Sequence, residues 1–175
     1  MALILLRHGR PAGAADRCYG RTDLLTGPHL LCEAQSIAAA LAPVDRIVSS
    51  PLRRCRRLAA LLGARLGVPV RFDPAWREID FGAWEGLAWD AVPRAQLDAW
   101  AADFLHARPH GGESVAMLLA RVRGALARAR RVPGRVLAVT HAGPIRAALF
   151  ATGAGPTAWQ RNVGFGELVE IGGRR

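Results

Sequence analysis

The sequence predicts a three-layer α/β/α domain built on a mostly parallel central sheet. Three observations carry this. The runs Leu3–Leu6, Ile47–Val48 and Val136–Val139 are continuously apolar rather than alternating, as suits strands covered on both faces. Longer segments with apolar residues at helical spacing separate them. The two kinds of segment alternate along the chain, the pattern of helices packed on both sides of a parallel sheet. A length of 175 residues allows one domain with a substantial core, and 51% hydrophobic against 22% charged residues is an ordinary globular balance. One domain is expected over 1–175, with an insertion around 73–112.

The first strand spans 2–7 and ends in Arg7-His8-Gly9. Residues 10–27 are rich in Gly, Arg, Asp and Thr and read as a loop, and an excursion of that length inside a compact domain is usually functional. Pro28 is placed to open a helix in which Leu30, Leu31, Ala34, Ile37, Ala38 and Leu41 share a face, and Pro43 stops it. Strand 46–49 follows. Ser50-Pro51 offers an N-cap and a first-turn proline to a helix that runs to Leu66, closed by Gly67 and Pro69. The next strand covers 68–72, where Pro69 marks an edge or a strand start. Residues 73–112 interrupt the alternation. They hold Trp76, Trp84, Trp89 and Trp100, include a helix expected over 90–106, and are expected to lie over the carboxyl end of the sheet. Glu113-Ser114 begins a long helix with Val115, Leu118, Leu119, Val122 and Leu126 on its apolar face. Pro133-Gly134 turns the chain into strand 135–140. Ala142-Gly143-Pro144 opens a helix to about Thr152, and an alternating edge strand covers 167–171.

Composition excludes several function classes. No apolar run reaches the ~18–20 residues that span a bilayer, and the first strand is too short for a signal peptide. A cytoplasmic protein without membrane partners is expected. The net charge is +10, and Arg supplies every basic residue. Arginine clusters hold phosphates bidentately, on small molecules or nucleic acid. The competing reading is a compositional replacement of Lys by Arg on a solvated surface. The basic residues are spread along the chain with few aromatics between them, which argues against nucleic acid. Cys18, Cys32 and Cys55 form neither a disulfide framework nor a zinc motif. All three are expected to be reduced thiols in or near the core, and Cys18, in the long loop, is the one to watch for reactivity.

Two strands end alike, in Arg7-His8-Gly9 and in Thr140-His141-Ala142-Gly143. As central parallel neighbours, their carboxyl ends would adjoin where open α/β sheets bind ligands. Two histidines would then meet, with Arg7 between them. The alternative for His8 is to satisfy a buried turn. Ser49-Ser50-Pro51-Leu52-Arg53-Arg54 brings a further arginine at a strand-to-helix turn, and the helix N-terminus adds positive potential. Two imidazoles and two guanidiniums suit a doubly charged tetrahedral anion, and a phosphoryl group fits best. Zinc would need a third ligand and no guanidinium in its shell, so no metal is expected.

Five segments, in order, carry a resemblance. They are Leu6-Arg7-His8-Gly9, Ser49-Ser50-Pro51-Leu52-Arg53-Arg54-Cys55, Glu78-Ile79-Asp80-Phe81-Gly82-Ala83-Trp84-Glu85-Gly86, Pro109-His110-Gly111-Gly112-Glu113-Ser114 and Val139-Thr140-His141-Ala142-Gly143-Pro144-Ile145-Arg146. Together they resemble the motifs of the histidine phosphatase superfamily, in the branch of cofactor-dependent phosphoglycerate mutases and α-ribazole phosphatases. The resemblance implies a phosphoglycerate mutase-like fold and a hydrolase of small phosphate esters that needs no cofactor. It implies His8 as a nucleophile that becomes phosphohistidine. Arg7, Arg54 and His141 would hold the phosphoryl oxygens, and Glu78 would be the acid and base. Glu85 and Glu113 stay rivals for that last role; Glu85 would otherwise hold its own turn, and Glu113 would cap the helix beginning there.

The same resemblance places Tyr19, Gly20, Arg21 and Ala142 among the substrate contacts. Arg10 and Arg21 are candidates for further anionic groups, with a solvated surface role as the alternative. Departures fall at Arg10-Pro11, at Asp23-Leu24-Leu25-Thr26-Gly27-Pro28, which lacks one residue of the family's pattern, and at His110 and Ala142. The short insertion favours hydrolysis over mutase chemistry, and the Cys18–Asp23 segment leans toward α-ribazole-5′-phosphate as substrate. The alternatives are a mutase-type phosphoryl transferase and a silent phospholigand-binding module. Relatives include monomers and dimers, so a homodimer is compatible with the resemblance.

Overall fold

Alternate side chains of the central strands divide the core into two layers. The computed structural model describes residues 2–13 and 15–172, and positions 1, 14 and 173–175 of the expected domain lie outside the described residues. Leu3 and Leu5 of β1 (Leu3–Arg7), with Val136 and Ala138 of β4 (Val136–Thr140), pack against α4 (Val115–Arg130) and α5 (Ala142–Leu149). Ile4 and Leu6, with Leu137 and Val139, pack instead against α1 (Leu30–Ala40) and α2 (Arg53–Leu66). Continuous apolar strands are therefore needed because both faces are covered.

The sheet order is β3-β2-β4-β1-β5, with β2 at Arg46–Ser49, β3 at Val70–Phe72 and β5 at Leu168–Ile171. β1, β2 and β4 pair in parallel, as do β2 and β3, and β5 runs antiparallel to β1 at the far edge. The three-layer, mostly parallel fold expected from the sequence is thus present, with β3 and β5 at the two edges. In the β1–β4 register Arg7 stands opposite Thr140, and the pairing continues one step as the His8 amide donates to the Thr140 carbonyl at 3.0 Å. His8 and His141 consequently leave the sheet side by side.

Helix boundaries depart from expectation for local reasons. α1 starts at Leu30, with Pro28 before its cap residue His29, and Leu31 is 70% exposed rather than on the core face. α2 starts at Arg53, not Pro51; Leu52 is its cap residue, and the Ser50 hydroxyl accepts from the Leu52 amide at 3.3 Å. The helix expected over 90–106 shrinks to α3 (Arg94–Ala102), preceded by a single 3₁₀ turn, because Pro93 forces Val92 into an extended conformation. α5 ends at Leu149, and the chain continues as a π-turn until Gly153 adopts a φ of 105°. Among the described residues, no helix is long and apolar enough to cross a membrane.

The long loop is pinned to the insertion. The Cys18 amide donates to Leu87 O, the Gly86 amide donates to Cys18 O, both at 2.8 Å, and Arg17 bridges to Ala88. Cys18 packs with Trp84 and Val92 in a small separate core. Its thiol is fully buried and its pKa is pushed up to about 12, first by burial and then by Glu85 and Glu78. Cys18, the thiol watched for reactivity, is therefore an inert packing residue; it and Cys55 are free thiols in the core as expected, while Cys32 is exposed.

Candidate active site

Arg54 occupies the position expected for Arg7. From the first turn of α2 its Nε lies 3.3 Å from His8 Nε2 and 3.3 Å from His141 Nδ1, so one guanidinium N–H sits between the two imidazoles. The rings meet edge to face with centroids 5.0 Å apart. Nη1 of Arg54 donates to Thr22 O at 2.7 Å and Nη2 to Gly20 O at 2.6 Å. The long loop thus seats the arginine with its backbone. Gly20 lies so close to the insertion that a Cβ there would overlap the Ile79 carbonyl.

These contacts assign the histidine tautomers. His8 Nδ1 lies 2.7 Å from Gly9 O, an acceptor only, so Nδ1 carries the proton and Nε2 keeps its lone pair toward Arg54. His8 is 2% exposed, and its pKa is pushed down to about 3 by burial and by the Arg54 cation. In His141 the proton lies on Nε2, because Nδ1 receives Arg54; Nε2 then donates to Ser50 Oγ at 2.9 Å. Burial, with His8 and Arg54 next, holds His141 well below the usual histidine range. Cys55 Sγ packs 3.4 Å from His141 Nε2 and donates to Thr140 O.

Arg7 lies to one side. Its guanidinium donates to Val163 O and stacks 3.8 Å over the Phe165 ring. Arg10 lies over the same ring at 5.1 Å.

The three carboxylates have separate tasks. Glu85 accepts from the amides of Arg21, Thr22 and Phe81 and from the Thr22 hydroxyl, tying the long loop to the insertion. Glu113 is 7% exposed and forms a two-point pair with Arg121 at 2.6 and 2.8 Å; the cap of α4 is Ser114, whose hydroxyl accepts from Met117 N. Glu78 alone of the three lines the cavity that His8 opens onto; His141 and Arg54 lie behind His8 and are not among its lining residues. Glu78 accepts from Ile79 N at 3.0 Å and from Gly143 N, in the first turn of α5, at 3.2 Å.

That cavity has a volume of about 450 Å³. Arg7, His8, Tyr19, Glu78, Ala142 and Gly143 form its chemical end, and Trp89, Trp100, Phe104 and Trp159 form an aromatic wall. Arg17 and Arg146 also line it, and neither was singled out from the sequence. Arg21 is not among the residues that line it. Its Nε donates to Glu78 O at 3.3 Å and its Nη2 lies 3.6 Å from Glu113, so it braces the segment that carries Glu78. Arg121 was also missed. It donates to the carbonyls of Ala75, Arg77 and Glu78 and so fixes the segment that presents the Glu78 side chain. Among the described residues, no group of three or more His, Cys, Asp or Glu side chains is placed to hold a metal ion.

Comparison with known proteins agrees with this architecture. The model of the histidine phosphatase superfamily (branch 1) matches residues 3–171. A glucosyl-3-phosphoglycerate phosphatase of Mycolicibacterium vanbaalenii is 41% identical over 121 residues, covering 64% of this chain and 52% of that protein. The chain thus matches about half the length of such curated relatives. The native structure of a mycobacterial glucosyl-3-phosphoglycerate phosphatase superposes with a TM-score of 0.82 at 30% identity, covering 99% of this chain and 90% of the other. The α-ribazole phosphatase of Shigella flexneri superposes with a TM-score of 0.85 at 26% identity, covering 98% and 90%. With the family model spanning both histidine-bearing strand ends and nearly everything between them, the chain belongs to the histidine phosphatase superfamily (branch 1).

Proposed function

We propose that this chain hydrolyses phosphomonoesters without a metal, through a phosphohistidine at His8. The observation that carries the reading is the His8 tautomer: Nδ1–H is spent on Gly9 O, which leaves the Nε2 lone pair beside a buried arginine. A neutral imidazole oriented in this way is a ready nucleophile.

In the first step Nε2 attacks phosphorus as the P–O bond to the leaving group breaks. Glu78, entering protonated, gives its proton to the departing oxygen. In the second step Glu78 takes a proton from water, the water oxygen attacks phosphorus, and the P–N bond breaks to free phosphate and neutral His8. Arg7 and Arg54 offset charge on the equatorial oxygens. For His141 to donate to an oxygen, its proton must move to Nδ1 and Arg54 Nε–H must turn to the phosphoryl group. Ser50 accommodates this, because its hydroxyl donates to Nε2 as readily as it accepts from it.

The finer reading, α-ribazole-5′-phosphate as substrate, is supported by the Cys18–Asp23 segment and the likeness to the Shigella enzyme. The higher-identity relatives named as glucosyl-3-phosphoglycerate phosphatases support that ester as the competitor.

The test is hydrolysis of p-nitrophenyl phosphate in excess EDTA by the wild type and by His8→Ala, then a panel holding both named esters. Activity that survives EDTA and vanishes in His8→Ala supports the mechanism; substantial activity in His8→Ala overturns it. Glu78→Gln should lose ~10²–10⁴-fold on alkyl phosphates and less on p-nitrophenyl phosphate, whose leaving group needs no proton.

A further inference from the structure

Arg7 ends β1 with its guanidinium at the cavity and, among the described residues, forms no ion pair with a carboxylate. Its Nε is buried without a hydrogen-bond partner. Burial is the largest cause pulling its pKa below the ordinary arginine value, with Tyr19 and Glu78 opposing. A half-buried cation held in one plane without a paired anion needs another kind of support.

That support comes from residues 163–167. The β1–β5 pairing runs to Leu6 opposite Leu168, and two further backbone bonds carry it past the strand. The Arg7 amide donates to Glu167 O, and the Gly166 amide donates to Arg7 O, both at 3.1 Å. Phe165 is thereby fixed beside Arg7. Its ring centre lies 3.8 Å from the guanidinium carbon, well within the reach of a cation–π contact. The same ring lies 5.7 Å, centre to centre, from the His8 imidazole. Val163 O takes one Arg7 N–H from the same stretch. Glu167 closes the loop from outside, accepting from Gly164 N at 2.5 Å and pairing with Arg161 at 2.8 Å. The backbone at 165 is therefore braced without help from the Phe165 side chain.

An aromatic face suits this task. Its quadrupole attracts a cation, yet it carries no net charge and places no acceptor in the guanidinium plane. A carboxylate in its place would occupy the N–H fork that a phosphoryl group uses. Phe165 is not among the residues lining the cavity, so it stands behind Arg7 rather than in the wall.

We infer that Phe165 is a positioning residue for phosphoryl binding: its ring holds the Arg7 guanidinium flat, with the donors not given to Val163 O turned to the phosphoryl oxygens. The inference rests on the phosphomonoesterase reading for the place of the phosphoryl group, and its test does not require turnover.

The probe is inorganic phosphate. Its dissociation constant is measured calorimetrically for the full chain carrying phenylalanine or its mono-, di- or trifluorinated analogue at position 165. Fluorine drains negative charge from the ring face and nearly keeps the ring's shape. Phosphate affinity should fall stepwise along the series, about tenfold in all, and kcat/KM for p-nitrophenyl phosphate should fall in step. Phe165→Leu should lose at least as much as the trifluorinated ring. The gradient should persist in Arg10→Gln and in His8→Ala, which remove the other two groups around the ring. A flat series, or a gradient that disappears in either of those variants, overturns the role given to Phe165 even when every ester is turned over normally. A gradient in phosphate affinity without hydrolysis of any ester sustains that role and overturns the hydrolase reading. Absence of phosphate binding by the wild type overturns both.

Discussion

Gly143 leaves room for Glu78. A Cβ on Gly143 would overlap Oε1 of the Glu78 carboxylate, while the Gly143 amide donates to Oε2 at 3.2 Å. One residue thus holds the carboxylate by its N–H and clears space for it by lacking a side chain. The first turn of α5 is in this way fitted to the acid that it touches at the cavity wall.

Gly143→Ala should therefore separate stability from activity. The conflict is with the far end of a flexible side chain, so Glu78 moves and the backbone stays. Alanine is intrinsically favoured over glycine in a helix by up to ~1 kcal/mol, so the urea midpoint should hold or rise. The kcat should fall ~10–100-fold on an alkyl phosphate and less on p-nitrophenyl phosphate, because proton donation is what is displaced. Equal losses on the two esters would sink this account.

Arg54→Lys should show that the shape of the cation matters as much as its charge. An ammonium cannot reach Gly20 O, Thr22 O and the gap between the imidazoles together, as the guanidinium fork does. The expected loss in kcat/KM is ~10²–10³-fold, the scale for removing one preorganised donor from a site of this kind. The long loop should loosen as well, seen as faster hydrogen exchange at the Thr22 amide. Near-wild-type kinetics would mean that Arg54 acts only as a point charge.

What the sequence disclosed and what it hid follow a physical division. β1 and β4 were legible because doubly covered strands must be continuously apolar, and their shared ending placed His8 and His141 together. The edge positions of β3 and β5 were legible from Pro69 and from alternation. The arrangement of cations was not. Which arginine stands between the imidazoles depends on how the first turn of α2 crosses the strand ends, a tertiary relation with no local signature. Arg121 was hidden among the other arginines of α4, and only its burial against Glu113 distinguishes it. Arg21 and Arg17 share a loop, yet one turns inward and the other lines the cavity, as the pairing of the loop with residues 84–88 decides. Cys18 was marked for reactivity by its loop position, and the insertion covers it.

Arg121→Met should be among the most destabilising single changes at this site. It leaves buried Glu113 with only Arg21, at 3.6 Å, as a cation and removes donors from three carbonyls. Breaking a buried pair from one side costs ~3–5 kcal/mol, and urea denaturation would read it directly. The double variant Arg121→Met, Glu113→Gln should recover part of the loss, since no uncompensated charge is then buried. If the double variant is no better than the sum of the single changes, the pair is not coupled as the geometry requires.

The buried imidazoles of His8 and His141, with His110 also buried and held below its ordinary value by burial, set the acid limit of the fold. Folding pushes His8 down to about 3 and His141 well below the ordinary value, through burial first and the neighbouring cations next. Unfolded, both titrate near ~6.5. Between the two limits the unfolded chain binds more protons than the folded chain, so stability falls as pH falls through that window and is fully present above it. Each histidine contributes a slope of up to ~1.4 kcal/mol per pH unit. The urea midpoint should drop steadily from pH 7 to pH 5, above the range where carboxylates begin to contribute. His8→Asn should make that drop shallower by removing one of these histidines. The ring proton resonance of His8 should stay unmoved between pH 5 and pH 8. A midpoint that is flat across this range, or a His8 resonance titrating near 6.5, would show that the imidazole is not held neutral by its surroundings and that the Nδ1 contact to Gly9 O does not fix its tautomer.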